Sequence, residues 1–376
     1  MKFPKRLLLF LTLLLIAIPA SAQNTNEPLI LWIAGNLYEV VDPTLMPGLI
    51  TQTGTVSAPA LSPSGDRIAF KDAAQVGLDA LNRLGGAAPI AEFDLPGDIA
   101  VETIQEGRID LIAGQPEGAS LFVEGVPDNA IVRSGPVWSP DGARLAWTYL
   151  PFGGTTASLA VYDFAVGAWL PFIESIAAPV ARGTAPDLRW SEWGFAFRAY
   201  SEDSAAQTFL FYTPDGNNPN LPPTATAVVE PGENEEILDF QWVQVADGWR
   251  LGVLFNDARW LLIDPATGVT EAPTAPPVLV SPNAPDSLRL RYGFSEDIGL
   301  FWEAVDPLNP AAASVAFPGT RVALSPSGRE IGFIGYPTFG AAAVVSGDTI
   351  REIPGTGSGG LLAGAVLWGA EVWRVE

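Results

Sequence analysis

Short runs of apolar residues, many alternating with polar ones, recur along the chain, and tight-turn residues separate them. In "VWSPDGARLAWTY" (137–149), Leu145 and Trp147 alternate with smaller or polar neighbours after the sequence Ser-Pro-Asp-Gly. Alternation with a period of two is typical of a β-strand with one buried face. Proline presets φ at the second position of a tight turn, and glycine accepts a positive φ at the fourth. The stretch therefore predicts a β-hairpin.

Two further stretches repeat this hairpin closely, "LSPSGDRIAF" (61–70) and "LSPSGREIGFIGY" (324–336). Weaker copies cover 188–200, 239–255, 279–294 and 365–375. The three close copies share a turn that we treat as a structural motif. Its residues are Ser62, Pro63, Gly65, Ser139, Pro140, Asp141, Gly142, Ser325, Pro326 and Gly328.

The copies recur at a nearly regular distance. Markers at Ser62, Ser139, Ser191, Gln241, Ser281, Ser325 and Gly369 lie 77, 52, 50, 40, 44 and 44 residues apart. A period of about 40–50 residues with several short strands per repeat is typical of a β-propeller. The sequence therefore predicts an all-β propeller. We favour seven blades, with the 77-residue interval as one blade plus an insertion. Eight blades result if 98–114 is a degenerate blade, and six is the other alternative.

Two other features locate the remaining strands and the chain ends. The stretches 158–172 and 260–273 each place an Asp four residues before a Gly after an apolar run, which predicts the turn from a third to a fourth strand. The last residues, 366–376, are too few for a blade. We expect strands from Leu29 onward to complete that blade, which closes the ring without an open edge strand. The Pro-rich and acidic stretch 213–236 is expected to be a long loop between blades.

The Ser-Pro-Asp-Gly hairpin followed by "LAW" or "IAF", and then by an apolar strand that ends in Asp-x-x-x-Gly, resembles the repeat of TolB-type β-propellers. The resemblance covers most of the chain, although 71–137 and 213–236 depart from it. It implies a role in protein–protein interaction in the cell envelope. We recognise no separate N-terminal α/β domain of the kind that TolB carries, so a role in the Tol system is not expected.

The first 22 residues have the pattern of a signal peptide. Lys2, Lys5 and Arg6 precede an apolar run at 7–18, and small residues precede a cleavage position after Ala22. The alternative is a retained anchor, but a membrane span needs ~20 apolar residues. We expect a secreted or periplasmic protein with a single propeller domain, 23–376, and no transmembrane segment after cleavage.

The charge balance excludes one class of partner. The chain has 42 acidic and 20 basic residues and a formal net charge of −22, which becomes −25 without the three charges of the signal segment. Binding to nucleic acid depends on Lys and Arg that neutralise phosphates, so nucleic acid is not an expected partner. The same charge favours a soluble monomer.

The absence of histidine and cysteine removes most catalytic chemistry. A Ser-His-Asp triad, a thiolate nucleophile and a zinc site of the usual type all need one of them. Nothing in the sequence selects a pair of carboxylates for glycoside hydrolysis. "IDPATG" (263–268) faintly resembles the tag of quinoprotein propellers, but a strand–turn–strand element explains it better. We therefore expect no enzymatic activity and no cofactor.

Calcium is the one metal that the sequence leaves open. Hard cations such as calcium prefer oxygen ligands, and two loop stretches are rich in side chains that carry oxygen. Neither has the spacing of an EF-hand loop. Their residues are Asp215, Asn217, Asn218 and Asn220 in the first, and Glu233, Asn234, Glu235 and Glu236 in the second.

Two hypotheses for function follow. The first is a non-catalytic scaffold that binds another envelope or extracellular protein. The alternative is a propeller that binds or cleaves a polysaccharide through acidic and aromatic loop residues.

The tryptophans bear on the choice between these hypotheses. Those beside the hairpin turns are expected to pack between blades, whereas less regular ones could be exposed for recognition. The former are Trp138, Trp190, Trp242 and Trp368, and the latter Trp32, Trp193, Trp249, Trp260, Trp302 and Trp373.

Overall fold

The structure is a computed structural model of the 376-residue chain. It describes residues 28–85, 95–176, 184–200, 206–213, 222–297, 299–309, 314–317, 321–335, 340–347, 349–357, 360 and 362–376. The signal segment and the oxygen-rich run from Asp215 to Asn220 lie outside the described residues.

Nearly all regular structure in the described residues is β. One helix, α1 (Gln75–Arg83), follows the fifth strand. The strands are β1 (Leu29–Ile33), β2 (Asn36–Val40), β3 (Gly48–Leu49), β4 (Val56–Leu61), β5 (Arg67–Ala73), β6 (Gly97–Thr103), β7 (Arg108–Ala113), β8 (Ile131–Arg133), β9 (Val137–Trp138), β10 (Arg144–Pro151), β11 (Ser158–Asp163), β12 (Ala168–Ile173), β13 (Asp187–Trp190), β14 (Phe195–Tyr200), β15 (Gln207–Tyr212), β16 (Ala225–Val229), β17 (Ile237–Val245), β18 (Gly248–Phe255), β19 (Trp260–Ile263), β20 (Thr270–Glu271), β21 (Val278–Val280), β22 (Arg289–Ser295), β23 (Gly299–Val305), β24 (Val315–Phe317), β25 (Arg321–Leu324), β26 (Glu330–Ile334), β27 (Ala342–Ser346), β28 (Thr349–Glu352), β29 (Ala363–Leu367) and β30 (Val372–Arg374).

These strands form antiparallel units of four strand positions, which we number 1 to 7. Units 1 to 6 are β4–β7, β8–β12 (with β8 and β9 sharing the first position), β13–β16, β17–β20, β21–β24 and β25–β28. Unit 7 joins the two ends of the described chain, in the order β29-β1-β2-β3, with Leu31 opposite Val366. Within each unit we call the strand nearest the centre the first strand. The predicted all-β propeller class is confirmed.

The three Ser-Pro turns share one hydrogen-bond pattern. In the turn from Ser139, the N–H of Gly142 donates to the Ser139 carbonyl at 2.8 Å, and the N–H of Arg144 donates to the Ser139 hydroxyl at 2.9 Å. The corresponding distances are 2.9 and 3.1 Å in the turn from Ser62, and 2.7 and 3.1 Å in the turn from Ser325. The serine therefore accepts two hydrogen bonds, one at its backbone carbonyl and one at its side-chain hydroxyl.

Replacing Gly142 with valine is expected to lower the free energy of unfolding by roughly 1–3 kcal/mol. Gly142 has φ +68°, a conformation that β-branched residues rarely adopt, and a Cβ there would lie 3.4 Å from Cδ of Pro63 in unit 1. Urea unfolding followed by circular dichroism measures the effect. Gly48→Val is the control, because Gly48 lies in β3 without a positive φ. Equal losses in the two variants would contradict the role assigned to the turn.

The third-to-fourth turns follow the predicted Asp-x-x-x-Gly pattern. Between β11 and β12, the N–H of Gly167 donates to the Asp163 carbonyl at 2.8 Å. Between β19 and β20, Gly268 donates to Asp264 at the same distance. Both glycines have positive φ. The quinoprotein-like stretch 263–268 is thus a strand–turn–strand element.

Each unit is apolar on both faces and packs against the units before and after it. The buried clusters between units include Phe70 and Ile30 (units 1 and 7), Val101 and Trp147 (1 and 2), Leu159 and Phe197 (2 and 3), Phe211 and Phe240 (3 and 4), Trp260, Trp302 and Phe333 (4, 5 and 6), and Val344 and Leu31 (6 and 7). Packing in this cyclic order supports a ring of seven blades. The blade number and the closure of the ring stay predictions.

The structure excludes one sequence-based alternative and changes one expectation. Residues 98–114 are not a separate degenerate blade, because β6 and β7 are the third and fourth strands of unit 1, after the insertion that contains α1. The prediction of one long loop at 213–236 is wrong. Residues 225–229 form β16, the outer strand of unit 3, with Ala227 and Val229 buried. The flanking prolines and acidic residues concealed this short strand.

Candidate functional site: the central channel

A cavity of about 1260 Å³ lies at the centre of the units. Its walls come from β4, β9, β13, β17, β25 and β29, which are first strands of six different units, and from β30. Binding sites for small molecules usually measure about 300–1,000 Å³. The channel is therefore large enough for several residues of a peptide or several sugar rings.

Two of the three Ser-Pro turns stand at the mouth of this channel. Ser62, Pro63, Ser139 and Pro140 line it, together with Glu192 from the corresponding turn of unit 3. We call this end the turn face. In an antiparallel unit, the connections after the second and fourth strands lie at the other end of the sheet, the opposite face. Gly65, Asp141 and Gly142 shape the turns without lining the cavity.

The third Ser-Pro turn is covered by neighbouring segments and does not open into the channel. The N–H of Gly369 donates to the carbonyl of Leu324 at 2.8 Å, and the Ser281 hydroxyl donates to the carbonyl of Pro326 at 3.2 Å. Ser325 and Gly328 keep the shared turn geometry but do not line the cavity. A Cβ on Gly328 would lie 2.5 Å from Oγ of Ser287, so this turn packs tightly against unit 5.

The C-terminal segment 368–376 crosses the channel. The sequence suggested that 365–375 is a weak hairpin copy, but its two strands do not pair with each other. β29 pairs with β1, whereas β30 lies between the first strands of units 4 and 5, parallel to β17 and antiparallel to β21. A three-residue strand carries too little alternation to reveal its partners from the sequence.

The tryptophans divide into structural and channel-facing groups. Trp138 is buried and donates from Nε1 to the carbonyl of Ala60 in unit 1 at 2.9 Å, which is the expected packing between blades. Trp242 is also buried and packs on Trp193 of unit 3, with ring centroids 5.7 Å apart. Half-buried tryptophans line the cavity and offer aromatic surface to a ligand. They are Trp32, Trp190, Trp249 and Trp368.

Charged side chains of both signs reach the channel. Arg189 pairs with Asp239 at 3.2 Å, and Asp187 pairs with Arg198. Arg321 and Arg374 also line the cavity, as do Glu192 and Glu371. The sequence did not mark any of these residues, because isolated charges on short strands have no distinguishing spacing.

Glu371 is the carboxyl most affected by its surroundings. Its Oε1 accepts a hydrogen bond from the backbone N–H of Leu324 at 2.6 Å. Enclosure by the surrounding units raises the pKa of Glu371 to about 7, and the bond from Leu324 opposes this rise. Glu371 is nevertheless exposed to the open volume of the cavity, so water reduces this rise. Burial also raises the pKa of the nearby Tyr292, with a smaller contribution from the charge of Asp239.

Glu371→Gln is expected to flatten the pH dependence of stability between pH ~4.5 and ~7. The carboxyl has a higher pKa in the folded chain than its ordinary 4.5, so its contribution is complete below that value and is lost as pH rises through about 7. We expect the melting temperature of the wild type to fall more than that of Glu371→Gln between pH 5 and pH 8. Glu192→Gln, at the channel mouth, should behave as the wild type. If plots of melting temperature against pH were parallel for the wild type and Glu371→Gln, they would show that Glu371 is not enclosed.

In the second oxygen-rich run, the side chain of Glu235 is occupied by contacts within the protein. Glu235 accepts a hydrogen bond from the N–H of Gly232 at 2.8 Å and pairs with Arg259 at 2.6 Å. Throughout the described ranges, no group of three or more acidic side chains is placed to hold a metal ion. The same ranges contain no helix long and apolar enough to cross a membrane.

No protein-family model and no curated protein matches the chain. Solved structures resemble it at low identity. A chain of the mitotic checkpoint complex is 16% identical with a TM-score of 0.45, over 93% of this chain and 84% of that one. TolB from Acinetobacter baumannii is 12% identical with a TM-score of 0.40, over 93% of this chain and 66% of that one. The β-propeller domain of the Trilobed protease from Pyrococcus furiosus is 12% identical with a TM-score of 0.45, over 79% and 82%.

Proposed function

We propose that the chain is an extracytoplasmic, non-catalytic propeller that binds another envelope or extracellular protein at the turn face of its central channel. The observation that carries this proposal is the open, tryptophan-lined cavity between the first strands. Aromatic side chains are enriched where proteins bind one another. The shared Ser-Pro turns support the resemblance to TolB-type repeats, and the N-terminal sequence pattern supports export. The lack of histidine and cysteine supports a role without catalysis.

The alternative is a polysaccharide-binding propeller. Half-buried Trp190 and Trp249 favour it, because aromatic faces in the cavity wall could also pack against sugar rings. The two proposals use the same cavity and differ in the ligand, so one capture experiment separates them.

Affinity capture of residues 23–376 from an envelope extract of the source cell, read by mass spectrometry, tests the proposal. We expect one protein at near-stoichiometric yield. Glu192→Trp places a bulky side chain at the channel mouth and should reduce the capture at least fivefold by steric obstruction. Glu124→Trp makes the same change in an exposed connection at the opposite face and should leave the capture intact.

Two outcomes would overturn the proposal. Retention of polysaccharide without protein would support the alternative. Loss of capture in Glu124→Trp but not in Glu192→Trp would place the binding site on the opposite face.

A further inference from the structure

Two arginines in the channel differ from nearly all the others that the structure describes. Most arginine side chains there donate to a carboxylate or a carbonyl, as Arg329 does to both carboxylate oxygens of Asp306 at 2.8 Å. In the described ranges, three make neither a hydrogen bond nor an ion pair: Arg321, Arg351 and Arg374. Arg351 is exposed on the outer strand β28, whereas Arg321 and Arg374 both line the cavity.

The surroundings of these two arginines make the lack of partners notable. The chain has 42 acidic residues, and most of its described guanidinium groups have found an acceptor. The Nε atom of Arg374 is shut off from solvent and donates no hydrogen bond to any described residue. An unpaired buried donor is costly. Arg321 and Arg374 both line the cavity, so a ligand carboxylate there would supply the acceptor that no described residue provides.

The C-terminal strand β30 is an example of an extended segment that the channel binds. β30 adds to the inner edges of β17 and β21, with Val243 opposite Trp373 on one side and Leu279 opposite Trp373 on the other. In the described residues, the remaining first strands pair only with the second strand of their own unit. These strands are β4, β8 and β9, β13, β25 and β29. Some groups on these inner edges are already bonded, namely the N–H and carbonyl of Leu324 in β25 and the carbonyl of Ala60 in β4. A further strand can use the other backbone donors and acceptors along these edges.

We propose that the channel binds an extended acidic segment of a partner protein, paired with a free inner strand edge, with carboxylates on Arg321 and Arg374. This inference rests on the proposed function and names the chemistry of the partner segment. Bidentate pairing of arginine with carboxylate supplies specificity as well as attraction. The general repulsion between the acidic chain and an acidic segment is screened over about 8 Å at physiological salt, so the contacts within the channel decide the affinity.

Fluorescence anisotropy with synthetic peptides tests this inference on residues 23–376. The probe is a labelled heptapeptide of alternating Glu and Val, compared with the same peptide carrying Gln for Glu. We expect the Glu peptide to bind at least tenfold more tightly. Arg321→Gln and Arg374→Gln should each weaken its binding at least fivefold. Arg351→Gln, with the same change in net charge, should stay within twofold of wild type. A Glu peptide N-methylated at alternate residues should lose binding, because it cannot pair with a strand edge.

Each contrary result overturns a stated part of the inference. Equal binding of the Glu and Gln peptides, or equal weakening by Arg321→Gln and Arg351→Gln, would remove the role of the two arginines. Undiminished binding of the N-methylated peptide would remove strand pairing. Binding of tri-galacturonate without the Glu peptide would assign the arginines to an acidic sugar. If no peptide binds while the envelope capture succeeds, this inference fails and the proposed function stands.

Discussion

Replacing Trp373 with alanine is expected to lower the free energy of unfolding by about 3–5 kcal/mol, the usual cost of removing a large buried aromatic side chain. Trp373 is 9% exposed, and its ring centroid lies 5.0 Å from that of Trp260, 5.8 Å from Tyr292 and 5.9 Å from Trp302. It joins units 4 and 5 through a strand of only three residues, so little else can replace its contacts. Urea unfolding followed by circular dichroism measures the loss.

Trp169→Ala is the matched control. Trp169 lies on the outer strand β12, is 40% exposed, and contacts Trp147 and Tyr149 only at ring distances of 6.1 Å. We expect its replacement to cost about 1 kcal/mol, in the range of ordinary single substitutions. A loss in Trp373→Ala no larger than in Trp169→Ala would mean that the C-terminal segment does not bridge units 4 and 5.

Arg133→Met is expected to destabilise the chain by roughly 3–5 kcal/mol. Its side chain is 5% exposed, and it donates from unit 2 to two carbonyls of unit 1, Gly97 at 2.6 Å and Gly114 at 2.7 Å. Burial lowers the pKa of Arg133 to about 10, and the nearby Asp98 opposes that shift. Methionine fills similar space but removes both hydrogen bonds, and the Gly97 carbonyl keeps the longer bond from Nε2 of Gln115 at 3.2 Å. The midpoint and slope of urea unfolding measure the change.

Arg108→Met makes the same substitution at an exposed ion pair. Arg108 lies 2.6 Å from Glu106 and 2.9 Å from Asp110, closer to carboxylates than Arg133 is, but it is 59% exposed. Solvent screens such pairs, so we expect a much smaller loss than in Arg133→Met. If Arg108→Met cost more than Arg133→Met, the ion pairs, and not the buried carbonyl contacts, would control stability.

Much of the fold depends on residues that are close together in the sequence, so it could be predicted from the sequence. A Ser-Pro turn needs a proline, a glycine with positive φ and a serine hydroxyl, and these are consecutive at Ser139 to Gly142. The Asp-x-x-x-Gly turns are equally local. The helix α1 and the short strand β16 were missed, because the first lies in an insertion and the second is surrounded by prolines.

The channel could be predicted only in outline. A propeller has a central channel, and the sequence identifies the turn residues Ser62 and Ser139 but not their place at the mouth of that channel. Arg321, Arg374 and Glu371 come to line one cavity only because the segment that follows β29 runs past unit 6 and ends between units 5 and 4. Such contacts depend on chain topology, and no spacing in the sequence encodes them.

Site-specific cross-linking tests the central claim most directly, namely that the turn face of the channel binds a partner protein. The chain has no cysteine, so a single cysteine in Glu192→Cys or Glu124→Cys can carry a photoactivated cross-linker at a chosen position. After incubation with envelope extract, we expect a discrete protein adduct from position 192 and none from position 124. An adduct from position 124 alone, or equal adducts from both, would contradict a binding site at the turn face.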